Sequence, residues 1–314
     1  MFNSTHTLVG VAIARVVPAK WVRYATVTSV IASNLPDIDI VSGFAGTPAY
    51  IDHHRGFTHS LIGVPIVALL LVAAMYLFSG NFWKTYTIAL ISMATHPLLD
   101  YANSYGLRPF LPFDGTWRYG DVLFIIDPYV DLLLLLGIVA GSARPDVKRM
   151  WACLSLAAIV FYAGARAELH HMAELKLQAA ITRTPAVEKW AVLPQMLNPF
   201  RWQGIIQTNQ EVARVDVDAF RGLIQGSQTS ARMARHGLMQ ITERAAQARS
   251  AAVLLRFARF PVERVQPLST GYRVLFIDFS FYNKLTNTSL ASEVVLDKSL
   301  SVVKESLSFN HRLE

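Results

Sequence analysis

Charge is scarce in this chain of 314 residues: Asp, Glu, Lys and Arg make up 16% of it, against 53% hydrophobic residues. Soluble globular proteins carry about 25% charged residues, so the low fraction and a mean hydropathy of +0.33 exclude an ordinary cytosolic protein. Cysteine is almost missing. Cys153 stands alone, which excludes an intrachain disulfide framework and a cysteine-rich metal centre, leaving His and carboxylates as the ligands for any metal. Glycine and proline, 17 and 14 residues, are not enriched, which excludes collagen-like and low-complexity chains. Basic residues outnumber acidic ones by 29 to 22, a formal charge of +7. In so apolar a chain, loops facing an anionic membrane surface account for this balance. The Arg set at Arg232, Arg235, Arg244 and Arg249 has no interleaved aromatics, so no nucleic-acid partner is expected.

The apolar excess lies in the first half. Leu61–Phe78 is an uncharged run about as long as the shortest bilayer-spanning helix, and Thr85–Leu99, Val122–Gly141 and Met150–Ala165 are three further apolar stretches. The short connections between them predict an antiparallel bundle of four membrane helices. Two weaker helices, Thr5–Val17 and Trp21–Ala32, precede the bundle. They have no basic leading segment or small-residue cleavage site, so they are kept as surface-lying or re-entrant elements rather than a signal peptide. Past residue 168 the composition turns soluble. Gln203–Thr208 and Glu211–Phe220 read as a β-hairpin across Asn209-Gln210, Ser230–Phe257 as a long helix, and Tyr272–Tyr282 and Ser292–Val302 as strands. The expected fold is mainly α, a polytopic membrane bundle with a small C-terminal α+β domain. Its parts are N-terminal helices and metal-binding loops at 1–60, the membrane region at 61–167, a linker at 168–202 and the α+β domain at 203–314.

Ionisable residues beside apolar spans are costly and therefore informative. Five of the nine histidines fall in the first hundred residues. His54 and His59 precede the first span, whereas His96 and Asp100 end the second, so a helical hairpin places all four at one end of the bundle. Asp121 and Asp127 open the third span on the same face, and Asp37 and Asp39 lie close enough in sequence to fold over that mouth. His96 and Asp100 have i,i+4 spacing, which projects both from one helix face toward a shared ligand. Thr58 is placed to cap the first span, and Arg55 to stabilise developing negative charge on an anionic substrate. The expected metal ligands are His6, Asp37, Asp39, His54, His59, His96 and Asp100. The expected catalytic residues are Arg55 with Asp39 or Asp121 as general base. Imidazole with carboxylate suits zinc, with manganese or iron also fitting, as one or two ions.

Blander roles compete for several residues. His6 alone reads as a surface histidine, Asp37 and Asp39 after Pro36 as a turn, and His53 as a neighbour rather than a ligand. Asp127 and Asp131 read as partners of Arg118 or of a ligating histidine, His170 and Glu174 as a solvated face, and Cys153 as packing.

The segments His6, Leu35-Pro-Asp-Ile-Asp39, His54-Arg-Gly-Phe-Thr-His-Ser60, His96-Pro-Leu-Leu-Asp100, Tyr119-Gly-Asp-Val-Leu-Phe-Ile-Ile-Asp-Pro128 and Asn198-Pro-Phe-Arg-Trp202 together resemble the YdjM family. Metal-dependent hydrolysis is ascribed to this family of bacterial membrane-bound proteins. The order of His and Asp is more distantly similar to zinc-dependent phospholipase C, whose further ligands find a counterpart here only in His170 and Glu174. The resemblance implies a multi-pass protein of the bacterial inner membrane, in contact with the lipid bilayer, hydrolysing an ester or phosphodiester such as that of a lipid. A metal transporter or sensor, and a membrane anchor with a degenerate site, are the alternatives. A transporter would place its ligands near the bilayer midplane, whereas here they gather at one end. Basic residues flank both faces, so they leave the membrane orientation open.

Overall fold

The computed structural model describes residues 1–18, 21–182, 186–224, 231–234, 239–283 and 286–313. In chain order the helices are α1 (Asn3–Val16), α2 (Ala25–Asn34), α3 (Thr47–His53), α4 (Gly63–Ser79), α5 (Phe82–Tyr101), α6 (Pro128–Ala143), α7 (Lys148–Ile181), α8 (Met239–Ala246) and α9 (Arg249–Phe257). A 3₁₀ segment runs over Leu35–Ala45 and a single 3₁₀ turn over Phe57–His59. Among the described residues nine strands follow α7: β1 (Val187–Pro194), β2 (Arg201–Thr208), β3 (Glu211–Asp218), β4 (Gly222–Leu223), β5 (Ala231–Ala234), β6 (Pro261–Leu268), β7 (Gly271–Asn283), β8 (Thr288–Asp297) and β9 (Val302–Arg312). The chain divides into two compact units. The first comprises Met1–Ile40, His54–His171 and Pro194–Phe200, and the second Val41–His53, Met172–Leu193 and Arg201–Glu314.

Small residues fix the crossings of the first unit. A β-carbon on Gly10 of α1 would stand 2.4 Å from Ser33 Oγ and 2.9 Å from the Ser29 carbonyl oxygen of α2, so only glycine permits this approach. Ser29 Oγ lies 2.7 Å from the Gly10 carbonyl and 2.6 Å from Ser92 Oγ on α5. Three helices are thereby tied at one buried polar point, each bond contributing about 1 kcal/mol. Ile88, Leu123, Val130, Leu134 and Ile159 pack with Val9, Ala12 and Ile13 of α1 on one side, and Ala32 packs with Ala68, Val72 and Met93 on another. At the start of α4 the chain turns so tightly that a β-carbon on Gly63 would meet the Phe57 carbonyl oxygen at 1.7 Å. Ser60 Oγ accepts the Gly63 N–H at 2.9 Å. The serine, not Thr58, satisfies the opening of this helix.

Among the described residues one helical stretch, Pro145–Ile181, is long and apolar enough to cross a bilayer. A second candidate is a pair, Thr47–His59 with Gly63–Tyr76, bent by 79°. The other expected spans are helical with different limits. The third starts at Pro128 rather than Val122, because Asp127 Oδ1 accepts the Tyr129 and Val130 N–H groups and proline occupies the first helical position. Asp127 also accepts from Tyr162 Oη at 3.2 Å, and Asp131 from Thr5 Oγ1 at 2.6 Å. Neither pairs with Arg118, which bonds Asp114 instead.

The second unit is built on two antiparallel sheets, β1-β2-β3-β4 with β5 beside β3, and β6-β7-β8-β9. The hairpin expected across Asn209-Gln210 is present, with Arg201 opposite Asp218 and Gln207 opposite Val212. Strand alternation buries Ile205, Val212, Val262, Ile277 and Ala291 into one core with Phe260 and Phe279. The single long helix expected over Ser230–Phe257 is instead strand β5 followed by α8 and α9, broken at Gln247–Ala248. Ser230 and Arg235 fall outside the described residues. The C-terminal region is therefore richer in β-structure than its Ala and Arg content predicts.

Candidate metal centre

The α1–α2–α5 knot brings three chain segments to one point. The α2 helix runs out at Asn34 and Pro36, and the following 3₁₀ turn carries Asp37 and Asp39. Asp100 and His96 occupy the last turns of α5, and His59 closes the turn before α4. His6, His59 and His96 are fully buried, as is Asp100.

His96 Nε2 lies 3.3 Å from Asp37 Oδ1 and 3.4 Å from Asp100 Oδ2, while His59 Nε2 lies 3.5 Å from each of the same oxygens. Two nitrogens and two oxygens thus converge with near-equal spacing. A tetrahedron with metal–ligand bonds of about 2.0–2.1 Å has edges of about 3.3–3.4 Å, so the four nitrogen–oxygen separations suit the ligand shell of a small divalent ion, and all four atoms lie within 4.8 Å of one another. His59 Nε2, His96 Nε2 and Asp100 Oδ2 are buried with no hydrogen-bond partner. Buried polar atoms are ordinarily paired, and a shared cation satisfies all three at once.

Outer contacts aim these atoms. His96 Nδ1 donates to the Ser33 carbonyl at 2.7 Å. A carbonyl only accepts, so the proton is on Nδ1 and the Nε2 lone pair faces the centre, the usual arrangement for a metal-binding imidazole. His59 Nδ1 is 3.1 Å from Thr58 Oγ1, and that hydroxyl donates to Asp39 Oδ2 at 3.0 Å. Asp39 also accepts from His54 Nδ1 at 2.8 Å and from the Arg55 backbone N–H at 3.0 Å. Thr58, expected as a helix cap, is instead the bridge between a carboxylate and an imidazole.

A second group, Asp37, Asp39 and His54, also brings one ligand atom per residue within 4.8 Å of the others, and it shares Asp37 with the first. Burial pushes the Asp37 carboxyl up, but the imidazoles of His59 and His96 outweigh it and hold the group well below the usual carboxylate range. Asp39 is held low in the same way by His54 and His59 against its own burial. Both are therefore charged, as ligands must be.

The remaining expected residues take different places. His6 stacks on His96 with ring centroids 3.7 Å apart, its Nε2 3.6 Å from Asp100 Oδ1 and both ring nitrogens partnerless. Burial, first of all, keeps its imidazole uncharged. Arg55 has left-handed backbone geometry and is buried, its guanidinium 2.9 Å from Asp100 Oδ1 and 3.0 Å from Asn103 Oδ1, over the Tyr105 ring. Asp100 Oδ1 also meets the Met1 amino group, leaving Oδ2 to the centre. The arginine thus binds the Asp100 oxygen that does not face the centre. Asp121 is buried but belongs to neither ligand group. His53 bonds the Ala49 carbonyl, and His170 and Glu174 join neither group. Asn103 and Tyr105 carry no sequence signal of their own. Only their nearness to Asp100 in the chain could have drawn attention to them.

The segment that carries this His/Asp centre is also the segment that a family model matches. The model of the YdjM inner membrane protein family matches residues 1–171. The chain is 29% identical over 140 residues to the uncharacterized protein YfhP of Bacillus subtilis (strain 168), a match covering 41% of this chain and 43% of that protein. No solved structure matches the chain. With more than half of its length matched and its His/Asp centre inside the matched part, the chain belongs to the YdjM inner membrane protein family.

Proposed function

We propose that this protein is a membrane-bound, metal-dependent hydrolase that cleaves an ester or phosphodiester with a metal-activated water. The observation that supports this reading most is the convergence of three buried, partnerless atoms, His59 Nε2, His96 Nε2 and Asp100 Oδ2, with Asp37 Oδ1. Asp37, His59, His96 and Asp100 would hold one divalent ion, with zinc best suited to the mixed nitrogen and oxygen set. Asp37, Asp39 and His54 would hold a second. Metal in such a site lowers the pKa of a water and polarises the bond to be cleaved.

The protein's own groups divide the remaining work. Arg55 acts as a positioning residue, fixing Asp100 through a charge-assisted hydrogen bond rather than reaching for substrate. Asp39 already accepts from His54, Thr58 and the Arg55 N–H, which suits orienting imidazoles better than taking a proton. We keep the buried Asp121 as the candidate base, and Asp121→Asn tests it. We further propose that the helical region is multi-pass in the bacterial inner membrane, with α4, α5 and α6 accompanying α7.

The decisive experiment is metal analysis of the purified full chain together with turnover of bis-p-nitrophenyl phosphate. Stoichiometric metal and turnover, both abolished in His59→Ala and His96→Ala, is the expected result. Metal-free protein after purification in zinc-supplemented buffer would overturn the reading. Bound metal with no turnover of phosphodiesters or carboxylic esters would favour a metal-sensing or anchoring role.

A further inference from the structure

A cavity of about 840 Å³ opens beside the candidate metal centre, within the first unit, and His59 forms part of its wall. Its volume falls in the range of roughly 300–1,000 Å³ typical of ligand sites. The remaining walls come from α4, the C-terminal half of α5 and the loop after it, through residues such as Val64, Ala94, Leu98 and Phe110. Arg118 is the cation in this otherwise apolar or uncharged lining. Its side chain is half exposed and shares a surface ion pair with Asp114 at 3.4 Å, a contact weak enough to yield to a stronger anion. The cavity therefore combines a wall to which His59 contributes, a long apolar surface and one accessible positive charge.

That combination matches one kind of molecule. We infer that the cavity receives an acyl chain of an anionic membrane lipid, with Arg118 attracting the headgroup charge and the chain held along α4 and α5. The inference rests on the hydrolase reading for placing the headgroup ester at the His/Asp centre. A small water-soluble phosphodiester would leave this apolar surface wet. An acyl chain covers it, each buried methylene strengthening binding by about four-fold until the cavity is full. Membership of an inner membrane protein family puts such chains within reach.

Two measurements on the full-length, zinc-loaded protein in nanodiscs test this. In the first, an anionic phosphoglyceride carrying a diazirine on its acyl chain is photolysed and the crosslinked peptides are mapped. Labelling should concentrate on 90–101 and 107–118, should fall at least ten-fold in Ala94→Trp, and should fall in Arg118→Gln for the anionic lipid but not for a zwitterionic one. In the second, KM is compared across alkyl p-nitrophenyl phosphates of four to twelve carbons, with Phe110→Asp as a variant at an exposed position that leaves the helices intact. KM should drop steeply with chain length in the native protein and flatten in Phe110→Asp. Labelling spread evenly over the lipid-facing helices, or chain-independent KM in the native protein, would overturn the lipid inference while leaving the hydrolase reading intact. Labelling in the cavity without turnover of any ester would overturn the hydrolase reading and keep the cavity as a lipid site.

Discussion

His96 has one free nitrogen because the other is committed to the Ser33 carbonyl, and this small asymmetry governs what each substitution does. Replacing His96 or His59 with alanine removes a nitrogen that nothing nearby can replace, so stoichiometric metal should be lost by elemental analysis. Thr58→Val is subtler. It keeps every ligand but removes the hydroxyl between Asp39 and His59, and outer-contact losses of this kind weaken metal binding by about 10–100-fold. Competition with a fluorescent zinc chelator would measure it, and unchanged affinity would show that the hydroxyl is idle. Arg55→Gln leaves Asp100 Oδ1 without its guanidinium inside a buried site. Breaking a buried pair from one side costs about 3–5 kcal/mol, so the thermal midpoint should fall well below that of Thr58→Val. Asp37, His59, His96 and Asp100, which the structure brings together, were legible in the sequence as candidates, since His and Asp beside apolar runs have few other reasons to exist, whereas His6, also expected as a ligand, joins neither group. The roles of Thr58 and Arg55 were not, because a hydroxyl or a guanidinium has several partners within reach and only the folded backbone selects one.

Helix crossings set the precision of that site. The Gly10 contact leaves no room for a β-carbon against the Ser29 carbonyl, so Gly10→Val forces α1 away from α2. Overpacking of this kind costs about 1–3 kcal/mol, and it should lower metal occupancy as well, because α2 carries the Ser33 carbonyl and leads directly into Asp37. Chemical denaturation and metal content of the same sample would show both effects; loss of stability with full occupancy would separate the crossing from the centre. Helix type was readable from apolar periodicity, but helix limits were not. The chain enters α6 late because Asp127 caps it, and the apparent helix over Ser230–Phe257 breaks where tertiary packing outweighs the helix propensity of Ala and Arg. In α7, Val160 and Phe161 are 72% and 80% exposed, an apolar surface of the kind that hydrocarbon covers. Alkaline carbonate washing should therefore leave the full chain in the membrane fraction, whereas release into the supernatant would argue against α7 as a span.

At the scale of the whole molecule, composition and order along the chain conveyed that an apolar helical region precedes a different C-terminal part, and that the scarce charges of the first part gather at one place. They conveyed the hairpin over 203–220 and two later strands, but not that these belong to two antiparallel sheets. Strands such as Pro261–Leu268, in which two prolines and two charges interrupt the valines, leave little hydropathy signal. Nor did they convey the cavity beside His59, whose walls come from residues that look like any membrane helix until the loop after α5 folds across them. Metal removal should be felt mainly in the first unit. A ligand at 100 times its Kd stabilises by about 2.7 kcal/mol, so chelation should lower the unfolding transition of the helical region, followed by near-ultraviolet circular dichroism, and readdition of zinc should restore it.

The ligands Asp37, His59, His96 and Asp100 sit on segments up to 63 residues apart, and that dispersal fixes the order in which the protein can mature. Only His96 and Asp100 are neighbours in the chain, and two donors on a nascent helix hold an ion weakly compared with four. The other two arrive only after the Gly10 and Ser29 contacts have closed, since loop closure must come before distant groups can cooperate. On the proposed reading a metal ion would therefore enter late, as a seal on a scaffold already assembled rather than a seed around which it forms. Refolding from denaturant should proceed at the same rate with and without zinc, and only the rate of unfolding should slow when the ion is present.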